Sequence, residues 1–154
     1  EFRRVLFRSP DAIGAITSSA GWDTIANQSY LTEVISEFKR NGIRTSIFVD
    51  PLLDMVEGAK ATGTDRIELY TEAFAKQFEL GNYKAIEPYT KAAEKAFELG
   101  LGINAGHDLS LDNIKFFKEN IPNLLEVSIG HALISEALYF GLDNTVNMYL
   151  SKLK

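Results

Sequence analysis

Short apolar runs alternate along this chain with stretches in which apolar residues recur at helical spacing. The runs are four to seven residues long and rich in aliphatic and β-branched side chains, which is typical of buried strands. Glycine-containing breaks bound most of them. The predicted strands are Ile43–Val49, Arg66–Tyr70, Leu101–Asn104 and Leu125–Ile129.

The intervals between these runs predict helices. Asp50-Pro51 is typical of a helix start, with Asp50 as the N-cap, and this helix should reach about Ala61. Thr71–Tyr83 is expected to be a long loop with a short helical piece. The other predicted helices are Thr24–Arg40, Lys84–Leu99, Leu111–Glu119 and Ala132–Leu153, the last with a break near Gly141.

Strict alternation of strands and helices predicts an α/β fold with a parallel sheet and right-handed crossovers. A TIM (β/α)8-barrel and a doubly wound sheet both satisfy the pattern. No G-x-G-x-x-G follows the first complete strand, which disfavours a dinucleotide-binding fold. The spacing of the units suits a barrel, and only about four complete β/α units are present. The chain is therefore expected to be a truncated C-terminal portion of a TIM barrel.

The N-terminal region is divided into two segments with different predicted origins. Residues 1–9, EFRRVLFRS, resemble a translated sequencing adapter and are predicted to be a non-native leader, the alternative being a native basic arm. Residues 10–154 would then form the barrel portion. The segment from Pro10 to Gly21 lacks helical periodicity and is predicted to be a loop.

The amino-acid composition disfavours several classes of function. Hydrophobic residues make up 45% and charged residues 24% of the chain, and the formal net charge is −5, so the sequence predicts a soluble, cytoplasmic, acidic domain. A nucleic-acid partner would require a basic face, and no apolar run is long enough for a membrane span. With no cysteine, disulfides and thiolate metal sites are excluded.

Two Gly-His pairs occupy matching positions after the last two predicted strands. His107 and His131 are the only histidines, and each directly follows a glycine, Gly106 or Gly130. In a barrel the active site lies at the carboxyl ends of the strands, and glycine turns before helix N-termini can bind phosphate. The alternative is that each histidine is a structural hydrogen-bonding residue. No metal site is predicted, because neither histidine has ligand spacing.

A carboxylate is also predicted on the interior face of the sheet. Glu68 alternates with Ile67 and Leu69, so it should share the opposite face with Tyr70. Such a group is a candidate acid, base or electrostatic stabiliser, or else a structural partner of a Lys or Arg. Thr17 lies in a Gly/Ser-rich loop that could cover the barrel mouth or serve only as a connector.

Several motifs together resemble the pyridoxine 5′-phosphate synthase family. They are SIFVDP at 46–51, RIELYT at 66–71, LGLGINAGHDLSLDNI at 99–114, LLEVSIGHALISEAL at 124–138 and AITSSAGWD at 15–23. The resemblance implies a TIM barrel with added helices that condenses 3-amino-2-oxopropyl phosphate with 1-deoxy-D-xylulose 5-phosphate. The products would be pyridoxine 5′-phosphate, inorganic phosphate and water. It also implies no cofactor and a cytoplasmic homo-octamer.

The resemblance further implies roles for individual residues. His107 would donate a proton and Glu68 would stabilise the transition state, while Thr17, Gly130 and His131 would bind substrate. Asp108 stands where the family pattern has glycine, and its backbone would contact substrate, although a carboxylate beside a phosphate would repel it.

The first three strands of the family, with further acids, bases and arginines, have no equivalent here. The chain alone is therefore expected to be inactive and prone to self-association through its open edge. Two other functions remain open. One is a different phosphosugar barrel enzyme, although an aldolase would need a strand-end lysine that the predicted strands lack. The other is a non-catalytic phosphate-binding fragment.

Overall fold

The computed structural model describes the backbone of residues 4–7 and the whole of residues 16–154. The described part contains five strands and seven helices, with a 3-10 turn before the fourth helix. The strands are β1 (Arg4–Phe7), β2 (Arg44–Val49), β3 (Arg66–Tyr70), β4 (Gly102–Gly106) and β5 (Leu124–Ser128). The helices are α1 (Gln28–Arg40), α2 (Leu53–Ala61), α3 (Glu72–Glu79), α4 (Glu87–Glu98), α5 (Ile114–Asn120), α6 (His131–Phe140) and α7 (Leu142–Lys152).

The strands form one parallel sheet in the order β1-β2-β3-β4-β5, so each strand lies beside its neighbour in sequence. This confirms the predicted α/β class with a parallel sheet. The order shows no reversal, whereas a doubly wound sheet reverses at its switch point. In the described part of the chain no helix is long and apolar enough to cross a membrane.

One face of the sheet forms the hydrophobic core with the helices. Alternate residues of β2, β3 and β4 point into it and are fully buried, among them Ile47, Ile67 and Ile103. Phe74 of α3 lies at its centre and packs against Tyr89 of α4 and Phe117 of α5. Burial of these rings stabilises the folded chain, because apolar area is removed from water.

The opposite face of the sheet carries polar side chains. Glu68 and Tyr70 of β3 share this face, as alternation predicted, and Glu68 is only 3% exposed. Asn104 on β4 lies beside Glu68 in the parallel register. On β5 Glu126 forms ion pairs with Arg66 of β3 at 3.1 Å and with Arg44 of β2 at 3.2 Å, so ionic contacts connect strands that are not adjacent.

Two glycines of β4 let side chains of β3 lie across that strand. A Cβ on Gly102 would come within 2.7 Å of Cγ of Arg66, and a Cβ on Gly106 would come within 2.2 Å of Oε1 of Glu68. Real Cβ atoms do not approach so closely, so both positions require glycine as long as the β3 side chains keep this path. These gaps allow Arg66 and Glu68 to reach β5.

Strand β1 was not predicted as a strand. Its backbone pairs in parallel with β2, with Arg4 opposite Arg44 and Phe7 opposite Ile47. Parallel pairing uses only backbone N–H and C=O groups, which any extended segment offers. The rest of the predicted leader, residues 1–3 and 8–9, lies outside the described residues, as do residues 10–15 of the predicted loop. The boundary between residues 9 and 10 stays a prediction.

The prediction that Asp50 caps the second helix is wrong. Helix α2 begins at Leu53 with Leu52 in the N-cap position, and no side chain caps it. The carbonyl of Asp50 instead accepts a hydrogen bond from the amide of Leu52 at 2.8 Å. Its carboxylate accepts one from the amide of Gly21 at 3.3 Å. The dipeptide Asp-Pro was predicted to start the helix, whereas the Asp50 side chain instead binds a distant loop.

Other helix bounds also differ from those expected. The short helical piece expected within Thr71–Tyr83 is the eight-residue helix α3. The helix expected from Leu111 begins only at Ile114, after a turn in which the Asn113 side chain accepts a hydrogen bond from the amide of Ser110. The predicted break near Gly141 is confirmed, because this residue has φ of +79° between α6 and α7. A left-handed backbone at that point suits glycine.

The final strand and helix α6 are the least covered part of the described chain. Strand β5 is at the edge of the sheet, and no residue of α6 is buried. Leu138 and Tyr139 of this helix are 82% and 86% exposed. A helix this apolar normally packs its apolar residues against a partner.

Candidate functional site

The carboxyl end of the sheet brings together three of the residues predicted to act on substrate. Oγ1 of Thr17 lies 3.0 Å from Nε2 of His107, although the two residues are 90 positions apart in sequence. Nδ1 of His107 lies 2.9 Å from Oδ2 of Asp108. Both imidazole nitrogens therefore have a hydrogen-bonding partner, and the ring has a defined orientation.

The loop that carries Thr17 is fixed to the end of β2. The amide of Trp22 donates a hydrogen bond to the carbonyl of Phe48 at 2.8 Å, and Gly21 packs directly on the backbone of Val49 and Asp50. A Cβ on Gly21 would come within 2.4 Å of the Asp50 amide nitrogen, so only glycine permits this approach. These contacts bring the loop to the same end of the sheet as His107.

His107 occupies an unusual backbone conformation. Its φ is +78° and that of Asp108 is +43°, a region that residues other than glycine rarely adopt. The hydroxyl of Thr71, which is fully buried, lies within hydrogen-bonding distance of the carbonyls of Gly106 and His107, which share its single hydrogen. The amide of His107 also donates to the carbonyl of Ser128 at 3.4 Å. Strain of this kind persists only where surrounding contacts hold it, and it occurs often at functional sites.

Tyr70 is a residue of this site that sequence reasoning did not single out. Its ring stands edge-on to the imidazole of His107, with centroids 5.0 Å apart. Its hydroxyl lies 2.9 Å from the carbonyl of Ser18 and 2.6 Å from the carboxylate of Glu72. Burial, and then the hydrogen bond to Glu72, raise the pKa of Tyr70. Alternation from Glu68 could have found it, since the two share a face.

Glu72 is held ionised by its neighbours. Lys76, one turn further along α3, binds its carboxylate at 2.5 Å, and this bond, followed by that from Tyr70, lowers the pKa of Glu72. The pair therefore places a charged acceptor behind the Tyr70 hydroxyl. Since that hydroxyl also reaches the Thr17 loop, β3 and α3 help to fix where the loop lies.

Glu68 lies on the inner face of the sheet, beneath the end of β4. The hydroxyl of Ser128 donates to its Oε2 at 3.4 Å, and its other oxygen occupies the space left by the missing side chain of Gly106. Gly106 was predicted to let the backbone approach a phosphate. The structure adds a second reason for this glycine, which is room for the carboxylate.

Gly130 and His131 lie on the neighbouring loop. His131 is exposed and is the first residue of α6, and a Cβ on Gly130 would meet nothing within 4 Å. Among the described residues no hydrogen bond joins either of them to His107. The two Gly-His turns therefore follow adjacent strands, but the structure directly connects only the first to the Thr17 loop.

The arrangement can exchange protons with a bound ligand. An imidazole with both nitrogens oriented lies at the strand ends, a buried carboxylate lies below it, and a helix begins at the adjacent turn. Within residues 16–154 no three His, Asp or Glu side chains are grouped so that they could hold a metal ion. The fold and site thus define a parallel α/β protein with acid–base groups at the carboxyl edge of its sheet.

Comparison with known proteins identifies the family. The model of the family described as pyridoxal phosphate biosynthesis protein PdxJ matches residues 5–154, so the chain belongs to that family. The match begins within the segment that was predicted to be a non-native leader.

Relatives with high identity support this assignment. The chain is 83% identical over 145 residues to the pyridoxine 5′-phosphate synthase of Flavobacterium johnsoniae, which covers 94% of this chain and 61% of the relative. It is 61% identical over 145 residues to that of Cytophaga hutchinsonii, with the same shares covered. It is 53% identical over 144 residues to that of Porphyromonas gingivalis, covering 94% and 60%. The chain thus spans about three-fifths of the length of these relatives.

Proposed function

We propose that this chain is the C-terminal portion of a pyridoxine 5′-phosphate synthase. The intact enzyme would condense 3-amino-2-oxopropyl phosphate with 1-deoxy-D-xylulose 5-phosphate, and release pyridoxine 5′-phosphate, inorganic phosphate and water. The names and high identity of the relatives support this reaction. The parallel sheet, with its strands in sequential order, supports a TIM barrel of which β2 to β5 are part.

The observation that carries the proposal is the contact between Thr17 and His107. A loop from before β2 reaches an imidazole at the end of β4, so a substrate held by the loop would lie against a proton donor. In the proposed roles His107 donates the proton and Glu68 stabilises positive charge that develops on the condensing substrates. Ring closure with loss of water needs such positioned acids and bases.

The turns after β4 and β5 are proposed to bind the substrate phosphates. Helix α6 begins at His131, so its first amides and the positive end of its dipole face the turn at Gly130. The open space around Gly130 leaves room for a phosphate oxygen. The side chain of Asp108 is turned onto His107, which supports a substrate contact through its backbone despite its charge.

The intact protein is proposed to be a cytoplasmic homo-oligomer, an octamer as the family resemblance implies. The exposed apolar residues of α6 support a covered surface there, because Leu138 and Tyr139 would otherwise remain in water. For the chain alone we expect self-association, and light scattering showing a stable monomer would contradict this expectation.

The test joins residues 10–154 to the N-terminal segment of the Flavobacterium johnsoniae synthase and measures formation of pyridoxine 5′-phosphate. The 154-residue chain assayed by itself is the matched control. We expect turnover by the chimera and none by the chain alone, since the missing strands should carry further acids, bases and arginines.

One result would contradict the proposed reaction. A folded chimera without turnover would exclude the synthase reaction for this segment. If the chain nevertheless bound inorganic phosphate at the amides of residues 106–108 and 130–132, a non-catalytic phosphate-binding function would replace the proposed synthase reaction. Turnover by the chain alone would instead overturn only the expected inactivity.

A further inference from the structure

Asp108 makes a contact that its predicted role does not require. A residue that binds substrate through its backbone needs no side chain, yet Oδ2 of Asp108 lies 2.9 Å from Nδ1 of the preceding His107. Both residues have positive φ, and this pair of turns directs the carboxylate back onto the ring. Aspartate adopts that conformation more readily than most side chains do.

The chemistry of the two partners fixes the proton on the imidazole. An ionised carboxylate can only accept a hydrogen bond, so Nδ1 of His107 must carry a hydrogen. In a neutral ring Nε2 then has the lone pair, and Thr17 can donate its hydroxyl hydrogen to it across 3.0 Å. The same two contacts suit a protonated ring, except that the Thr17 hydroxyl then accepts.

Other nearby groups do not compete for Nδ1. The hydroxyl of Tyr70 is occupied by Ser18 and Glu72, and only the edge of its ring faces the imidazole. Lys76 is bound to Glu72. Among the described groups Asp108 is therefore the one that selects which ring nitrogen bears hydrogen.

We propose that Asp108 is a positioning residue that holds His107 in the Nδ1–H form and presents Nε2 as the nitrogen that exchanges a proton with substrate. The Nδ1 hydrogen stays in place throughout. When Nε2 gains a proton the carboxylate stabilises the imidazolium, and when Nε2 gives that proton to a substrate oxygen the ring returns to its neutral form. The role in catalysis rests on the proposed function, but the tautomer does not.

The first test is nitrogen NMR of the imidazoles in the 154-residue chain, at a pH where both are neutral. The chain has only two histidines, so the signals are easily assigned, and exposed His131 serves as an internal reference. We expect His107 in the Nδ1–H form and His131 mainly in the Nε2–H form that free histidine prefers. Asp108→Gly, which tolerates the positive φ, should return His107 to the Nε2–H form.

Asp112→Gly is the matched control, because Asp112 is an exposed carboxylate four residues further along the same loop. It should leave the His107 signals unchanged. If the natural chain shows His107 in the Nε2–H form, or if Asp108→Gly leaves the tautomer unchanged, the proposal is wrong whatever the enzyme activity.

The second test uses the chimera, and it covers the case in which Asp108→Gly does not fold in the shorter chain. Because the family pattern has glycine at this position, we expect a modest fall in kcat, of up to about tenfold, with KM little changed. This is the lower end of the loss caused by removing the orienting partner of a metal-bound histidine. Asp108→Asn, which keeps an acceptor oxygen without the charge, should lose less.

A rise in KM with kcat unchanged would assign Asp108 to substrate binding and overturn the positioning role. If the chimera without any substitution shows no turnover, this counts against the proposed function. The NMR result would still decide the tautomer of His107.

Discussion

The edge formed by the amino ends of the strands and the edge formed by their carboxyl ends both carry aspartates and threonines, but in different environments. At the amino edge Asp65 binds Lys39 at 2.8 Å and the amide of Thr45 at 2.9 Å, and the nearby Thr45 and Thr64 are buried and bonded to each other. At the carboxyl edge the carboxylate of Asp108 binds a strained histidine beneath an exposed loop. In a parallel α/β fold the first kind of edge supports stability and the second supports function. The comparison predicts that mutations at the two edges change different quantities.

The largest effect is expected for His107→Asn in the chimera. If His107 is the proposed proton donor, its loss should lower kcat by about 10²- to 10⁴-fold. Stability should change little, because asparagine also tolerates a positive φ and the site is partly open to solvent. Steady-state kinetics and urea unfolding measure the two quantities, with Glu33→Gln on the exposed face of α1 as a control. A large loss of stability with activity retained would reverse the assignment of the two edges.

A smaller effect, on stability alone, is expected for Asp65→Asn. Burial raises the pKa of Asp65, but bonds from Lys39 and Thr45 outweigh it, so the pKa lies below its usual 3.8. A carboxyl with a lowered folded-state pKa stabilises fully above its unfolded pKa, and this contribution is lost as the pH falls through the folded value. The substitution should therefore cost about 1 to 2 kcal/mol at pH 7 and remove part of the acid-induced loss.

Urea unfolding of the chimera between pH 7 and pH 3 measures this change, and Glu33→Gln at an exposed site of α1 is its control. Equal pH dependence in Asp65→Asn and the natural sequence would contradict the assigned role of the amino edge.

The smallest effect is expected for Tyr70→Phe. This change keeps the ring against His107 and removes the hydroxyl that reaches Ser18 in the Thr17 loop. Losing one such hydrogen bond costs about 1 kcal/mol, so KM should rise by roughly fivefold while kcat changes less. Tyr83→Phe, at a ring that is 55% exposed, should change neither. If kcat falls while KM is constant, the hydroxyl acts in the chemistry rather than on the loop.

The periodicity of apolar residues predicted the features that depend on residues close together in sequence, namely strand positions and the faces of their side chains. The strand Arg66–Tyr70 was predicted to the residue, and the face shared by Glu68 and Tyr70 followed from alternation alone. The position of His107 at the carboxyl end of the sheet followed from its place after a strand, whereas for the Thr17 loop the sequence allowed either a cover of the barrel mouth or a connector. Their direct contact did not follow from the sequence, because it depends on how Gly21 packs against the end of β2.

The errors concern contacts and backbone conformations that local sequence patterns do not reveal. Asp50 has the local pattern of a helix cap, but its carboxylate binds Gly21, 29 positions away. The contact of the Asp108 carboxylate with His107 was not anticipated either, because the positive φ values that turn it onto the ring are not visible in the sequence. The expected substrate contact through the Asp108 backbone stays a prediction. Strand β1 was missed because backbone pairing with an open edge requires little of the side chains.

The two glycines of β4 couple the substitutions that β3 and β4 can accept during evolution. Since a Cβ at Gly106 would lie 2.2 Å from Oε1 of Glu68, an alanine codon at 106 becomes acceptable only if residue 68 shortens or turns away. Gly102 depends on Arg66 in the same manner. Among relatives, residue 106 should therefore vary only together with residue 68, and residue 102 together with residue 66. A mutation that is harmful alone would be tolerated in the background of its partner, so the order in which such changes arise would decide which sequences evolution can reach.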